Sequence, residues 1–276
     1  MRRVAVLLTV YNRCAATLKG LSSLYKAIGV LGDGYVLDIY MTDDGSTDGT
    51  AAAVGREFPN IHIVQGNGKL YWSGGMRKAW QAAIESKKAY DFFLWFNDDV
   101  DLYEDAFVTL FGAYEKSGPD CIVTGAFCGH DGKTSYGGKF EEGKVIEPNG
   151  AYQDVTLMNG NLVLVPFIAY SKLGAIDKKF KHGFGDYDYG LRAQKNHFKV
   201  MLTAKYVGVC DRHDPESIIY YSKELSMWNR LCCLYNPFNN PIPEFVFYRR
   251  KNGLYFALKQ FVGRNIFALF PQLMRK

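Results

Sequence analysis

The chain has 276 residues, 48% hydrophobic and 22% charged, enough to bury a substantial core and unlike a disordered or repeat protein. Its formal charge of +5 is uneven: from Glu244 onward there are seven basic residues (Arg249, Arg250, Lys251, Lys259, Arg264, Arg275, Lys276) and one acid, so the basicity belongs to the tail. The six cysteines show no CxxC pair and no metal-ligand spacing with histidine, and no apolar stretch approaches the roughly 20 residues of a membrane span.

The opening MRRVAVLLTVYNR imitates a secretory leader, but its apolar run is one strand long and meets polar Tyr11-Asn12-Arg13 without a small-residue cleavage site. With cysteines that read as reduced thiols, the expectation is a cytoplasmic protein. Val4–Val10 reads as a buried strand. Leu18, Leu21, Leu24, Tyr25 and Ile28 follow with helical spacing, which opens a parallel α/β unit. A second strand, Val36–Thr42, leads into DDGSTDGT, where glycines permit tight turning and Ser46, Thr47 or Asp48 can cap a helix through Phe58. Asp44-x-Ser46-x-Asp48-Gly49 imitates a calcium loop, but its twelfth position would be Gly55 and a strand precedes it, which excludes an EF-hand.

After a third strand, Ile61–Val64, two glycine-rich stretches bracket Leu70-Tyr71-Trp72 and lead to an expected helix, Met76–Lys88. Backbone N–H groups and Arg77 could meet a phosphate there; a structural turn with a surface arginine fits equally well. The stretch DFFLWFNDDVD, Asp91–Asp101, is the centre of the chain. Phe92–Phe96 reads as a strand buried on both faces that ends in Asn97, Asp98, Asp99 and Asp101. Carboxylates beyond the carboxyl end of such a strand suit a hard divalent ion bound with a diphosphate; a solvated acidic turn capping the next helix is the alternative. A helix, Tyr103–Lys116, and a strand, Cys121–Thr124, complete the half, and the absence of GxxxxGKS/T and GxGxxG argues against P-loop and dinucleotide folds.

The second half begins with a glycine-rich β-meander, Gly125–Val155, then Leu157-Met158-Asn159-Gly160-Asn161, the apolar run Leu162–Pro166 and a helix through Leu173. Asp186 and Asp188 stand where an aromatic-rich loop becomes a helix, which suggests a carboxylate in a partly dry pocket, suited to act as a base. Strands Lys199–Leu202 and Tyr206–Val209 lead to His213, which carries little weight alone. In the tail, a helix Leu225–Tyr235 is broken by the proline-rich Asn236–Pro243, and Phe245–Met274 reads as one long amphipathic helix with basic margins.

In order, VAVLLTVYNR, MTDDGSTDGT, GNGKLYWSGGMRKA, FLWFNDDV, MNGNLVLVP and IDKKFKHGFGDYDYGLRAQKNHFKV followed by His213 resemble the family 2 glycosyltransferases of GT-A fold, inverting enzymes, and especially their bacterial rhamnosyltransferase-like branch. The resemblance runs from about Val4 to Asp214. It implies an α/β fold: a Rossmann-like, mostly parallel central sheet with helices on both faces, plus a C-terminal helical extension. It divides the chain into a catalytic domain, 1–215 (nucleotide-sugar half 1–124, acceptor half 125–215), and a tail, 216–276. It implies that Thr9, Tyr11 and Asp44 hold the nucleotide, with Asn12, Asn67, Gly75, Arg77 and Asp98 completing the donor site. Asp99 and His213 would hold Mg²⁺ or Mn²⁺ with the diphosphate of the donor, and Asp186 would be the base. There are two departures. Asn97 stands where the family's first metal-motif acid is expected, and Gly185 replaces the acid before Asp186.

The expected substrates are a nucleotide-sugar donor and a glycan or polyprenyl-diphosphate-linked acceptor at the cytosolic membrane face, in bacterial surface polysaccharide assembly. Nucleic acid is not among the expected partners. The tail is expected to lie on anionic membrane, with docking on the catalytic domain or on a second copy of the chain as the alternatives. A nucleotidyltransferase is disfavoured because no glycine follows the first strand until Gly20. A non-catalytic glycan- or membrane-binding scaffold would not need both Asp99 and Asp186 at element ends.

Overall fold

The computed structural model describes residues 1–141, 143–212 and 219–273. The first half alternates as expected: β1 (Arg2–Val10), α1 (Cys14–Leu31), β2 (Tyr35–Asp43), α2 (Thr50–Glu57), β3 (His62–Gln65), α3 (Tyr71–Glu85), β4 (Phe92–Phe96), the short β5 (Asp101–Leu102), α4 (Ala106–Ser117) and β6 (Cys121–Cys128). The meander supplies β7 (Thr134–Tyr136), β8 (Gly138–Lys139), β9 (Gln153–Asp154) and β10 (Leu157–Met158). Then come β11 (Leu162–Pro166), α5 (Phe167–Leu173), α6 (Gly185–Lys195) and β12 (Lys199–Val209), followed by α7 (Met227–Leu234), α8 (Pro241–Asn252) and α9 (Leu254–Leu269).

The central sheet runs β3-β2-β1-β4-β11-β6-β12-β5. β3, β2, β1 and β4 are mutually parallel, β11 is antiparallel to both β4 and β6, and β6 and β12 are parallel again. The mostly parallel sheet is made mixed by β11, which enters between the two parallel blocks in the opposite direction, and by β5 at its edge. The alternation of side chains on β4 divides its aromatics between two cores. Phe92, Leu94 and Phe96 join Leu21, Leu24, Phe107 and Leu110 of α1 and α4 on one face. Phe93 and Trp95 join Met76, Trp80 and Tyr189 of α3 and α6 on the other. All five β4 side chains are buried, as the unbroken apolar run requires.

Three expected boundaries differ. α3 begins at Tyr71, so Ser73-Gly74-Gly75 forms its first turns rather than a loop. The two strands expected between Lys199 and Val209 are one strand with an irregular register between Leu202 and Gly208. The single long tail helix is two helices, because Gly253 adopts φ 87° and ψ 172° and turns the chain. The proline-rich segment does separate two helices, α7 ending at Leu234, but Pro241 itself starts α8 at its first turn, with Asn240 accepting from the Ile242 N–H as its cap.

Candidate active site

The carboxyl ends of β1, β2, β3 and β4 open onto one crevice, the edge where open α/β sheets bind ligands. Asp98 and Asp99 leave the end of β4 into it. Asp98 is 5% exposed and accepts from Thr17 Oγ1 of α1 at 2.8 Å. Burial pushes its pKa up to about 6, against the lowering effects of the Thr17 hydrogen bond and the Arg13 charge. Arg13 Nη1 donates to Asp99 Oδ2 at 2.8 Å and lies 3.5 Å from Asp98 Oδ1. The approach of α1 to this turn requires Gly20, where a Cβ would stand 2.6 Å from the Asp98 carbonyl oxygen.

One indole links the metal-motif strand to the candidate base. Trp72 Nε1 donates to Asn97 Oδ1 at 2.7 Å, and the far edge of its ring lies 2.5 Å from where a Cβ on Gly160 would be. The same point is 3.4 Å from the Asp186 Cβ, and the Gly160 N–H donates to Asp186 Oδ2 at 3.0 Å. Asp186 Oδ1 accepts the Tyr187 N–H at 2.9 Å. Burial raises the pKa of Asp186, with those two backbone donors pulling the other way. The missing acid before it also has a reason: a Cβ on Gly185 would come 2.4 Å from Ser73 Oγ, so only glycine lets α6 meet the first turn of α3.

Several expected donor-site residues are engaged by the protein itself. The Asp44 carboxylate is 4% exposed and accepts four backbone N–H groups, those of Asn67 and Gly68 on Oδ1 and of Leu70 and Tyr71 on Oδ2. It organises the loop before α3. Asn12 Oδ1 accepts the Thr47 N–H at 2.7 Å, and Asn67 Oδ1 accepts the Lys69 N–H at 3.0 Å. Thr9 and Gly75 form a contact between β1 and α3 in which a Cβ on Gly75 would lie 2.0 Å from Thr9 Oγ1. Arg77 Nη1 donates to the carbonyls of Asp177 and Phe180, which pins the loop before Asp186. Tyr11 is 54% exposed at the crevice rim. His213 lies outside the described residues.

Sequence reasoning did not single out Arg13, Thr17, Trp72 or Gly160. A tryptophan inside a glycine-rich stretch was the one local signal among them. Arg13 and Asp99 are 86 positions apart, and nothing in their spacing pairs them. Among the described residues no cluster of three or more His, Cys, Asp or Glu side chains forms a metal site; Asp98 and Asp99 would offer an ion carboxylate oxygens, of the kind that hard divalent ions take together with phosphates. A separate cavity of about 660 Å³, lined by residues including Lys19, Asp101, Tyr103 and Glu104, carries none of the donor-site residues.

The tail docks on this site. Phe247 of α8 is buried against Leu157 and Phe180, and Phe238 packs edge-on to Tyr71 and His182 at 5.6 and 4.9 Å between ring centroids. Burial lowers the pKa of His182, and the Arg13 charge lowers it further.

In solved structures the fold resembles the mannosyltransferase PcManGT from Pyrobaculum calidifontis in complex with GDP-Man and Mn²⁺ (TM-score 0.57, 15% identity, 96% of this chain and 74% of that one). It also resembles S. aureus TarS 1-349 in complex with UDP-GlcNAc (TM-score 0.59, 15% identity, 96% and 81%). No curated protein matched the sequence. The family model described as "Glycosyl transferase family 2" matches residues 5–177, from the first strand to the loop before the candidate base, and the chain belongs to that family.

Proposed function

We propose that this family 2 glycosyltransferase is inverting and metal-dependent, moving a hexosyl or deoxyhexosyl unit from a nucleoside-diphosphate sugar to a hydroxyl of a glycan or lipid-linked oligosaccharide. The observation that carries the reading is the Trp72 bridge, which sets Asn97 and the Asp98–Asp99 pair one indole away from Asp186. Asp186 accepts the proton of the acceptor hydroxyl as that oxygen bonds to the anomeric carbon and the bond to the diphosphate breaks. Its desolvated carboxyl, raised in pKa, is suited to a base, a role that typically contributes about 10²–10⁴-fold. Asp99, with Asp98 in support, would hold Mg²⁺ or Mn²⁺, with His213 a further proposed ligand; when bound, the ion neutralises charge on the leaving diphosphate. Asp44, Asn12 and Asn67 shape the donor-side loops, and Tyr11 at the rim would meet the nucleotide. The neighbours that hold GDP-Man with Mn²⁺ and UDP-GlcNAc support this donor class.

The motif order supports the rhamnosyltransferase-like branch and bacterial surface polysaccharide assembly. On α9, Leu254, Leu258, Val262 and Ile266 form an exposed apolar stripe beside exposed Lys259, which supports peripheral contact with a membrane carrying the acceptor. The tail's charge supports it less than its sequence suggests, since Arg250, Lys251 and Arg264 are in ion pairs with Asp177, Asp188, Glu141 and Glu244. No helix among the described residues is long and apolar enough to cross a membrane.

The test is a thermal-shift panel of UDP, GDP, dTDP and CMP with and without Mn²⁺ or Mg²⁺. A metal-dependent rise with one diphosphate is expected. No rise with any of them would overturn the reading.

A further inference from the structure

The cation facing the carboxylate pair in this structure belongs to the chain itself. Arg13 stands three residues after the end of β1 and at the residue before α1, so it lies in the turn that joins them. Its side chain is 48% exposed, and its Nη1 reaches Asp99 Oδ2 at 2.8 Å and Asp98 Oδ1 at 3.5 Å. The carboxylates are largely enclosed, at 7% and 18% exposure, while the guanidinium side of the pair is open to solvent and has room to move. A guanidinium and a divalent ion cannot share one carboxylate oxygen without strong repulsion. The described residues offer such an ion only part of a coordination shell, and phosphate oxygens are the ordinary complement.

Resting on the donor class proposed above, we infer that Arg13 is a resident counter-ion. It neutralises Asp98 and Asp99 in the ligand-free protein, and moves its guanidinium to the donor's diphosphate when a divalent ion takes Asp99. The planar fork of arginine suits both partners, carboxylate and phosphate. Two consequences follow. Mn²⁺ alone binds weakly because it must displace Arg13 with no anion to receive it. Mn²⁺ and a nucleoside diphosphate therefore bind with positive coupling, each raising the affinity for the other by the same factor.

Isothermal titration of the wild type, Arg13→Gln, Arg13→Lys and Asp99→Asn with Mn²⁺ alone, and with UDP, GDP or dTDP in the presence and absence of Mn²⁺, tests this. Arg13→Gln is expected to bind Mn²⁺ alone about tenfold tighter and the diphosphate with Mn²⁺ about tenfold weaker, within the usual range of such couplings. Arg13→Lys, which keeps the charge but loses the fork, is expected to hold Mn²⁺ alone near the wild-type affinity and to weaken only the diphosphate. It also carries the test if Arg13→Gln does not fold, as judged by circular dichroism. Asp99→Asn is expected to lose Mn²⁺ in both settings. If the wild type binds a diphosphate with Mn²⁺ while neither Arg13 variant departs from it, the counter-ion role falls and the donor reading stands. If the wild type binds none of UDP, GDP and dTDP with Mn²⁺, both fall.

Discussion

Arg250, in the C-terminal extension, donates through Nη1 to the fully buried carboxylate of Asp188, two residues beyond the candidate base, at 2.6 Å. Its other nitrogen, Nη2, meets Asp177 at 2.6 Å on the loop that Arg77 also holds. The tail is thus bolted to the helix that carries Asp186. Asp188 has a second partner in Arg192 Nε at 3.0 Å.

Replacing Arg250 with methionine should leave Asp188 with one guanidinium partner and take from Asp177 its direct ion pair, with the charges of Lys179 and Arg77 remaining nearby. Breaking a buried pair from one side costs about 3–5 kcal/mol; because Arg192 remains and Arg250 is partly exposed, we expect about 2–3 kcal/mol. Urea denaturation measures it, and an unchanged midpoint would mean that the bridge carries no stability.

Asp186→Asn keeps the shape but removes the basic oxygen. Transfer should fall about 10²–10⁴-fold while binding of diphosphate with Mn²⁺ is preserved, measured by turnover and by titration calorimetry. The pH profile follows from the sign of the shift: a base acts only when deprotonated, and burial raises this carboxyl above its ordinary value of 3.8. Activity should therefore be lost as pH falls through a midpoint above the usual aspartate range, and a midpoint at or below that range would contradict the base assignment.

Asp44→Asn would turn an NH₂ group towards one of the two N–H pairs that now meet a carboxylate oxygen. Tyr71, held by Oδ2, sits at φ 54°, a conformation that needs such restraint. Leaving buried donors unmatched costs about 1–3 kcal/mol, and the loop carrying Trp72 should loosen with it. Hydrogen exchange at Asn67–Tyr71 should quicken; unchanged protection would show that the loop does not depend on Asp44.

Gly185→Ala should destabilise by about 1–3 kcal/mol, since its new methyl group would press on Ser73 Oγ. Ser73→Ala removes that oxygen, at the cost of its hydrogen bond to the His182 carbonyl. The double variant should be more stable than the sum of the two single changes predicts, and simple additivity in thermal denaturation would reject the contact as the cause.

What the sequence by itself determined was whatever is written in local pattern. The unbroken apolar run Phe92–Phe96 could only be a strand buried on both faces, and the two acids at its end had to emerge at the sheet's carboxyl edge. The ordered motifs likewise led to the family that matches residues 5–177. Tertiary structure decided which polar groups the protein consumes and which it leaves to a ligand. Asp44 and Asp98 both follow strands, but one is filled by four loop N–H groups and the other lies beside an arginine at the crevice. The partners of Arg77 and Arg13 could not be read from the sequence for the same reason, since they lie 100 and 86 positions away. Helical period and turn chemistry reach only a few residues along the chain, whereas hydrogen bonds to carboxylates and carbonyls are settled by what packing brings within about 3 Å.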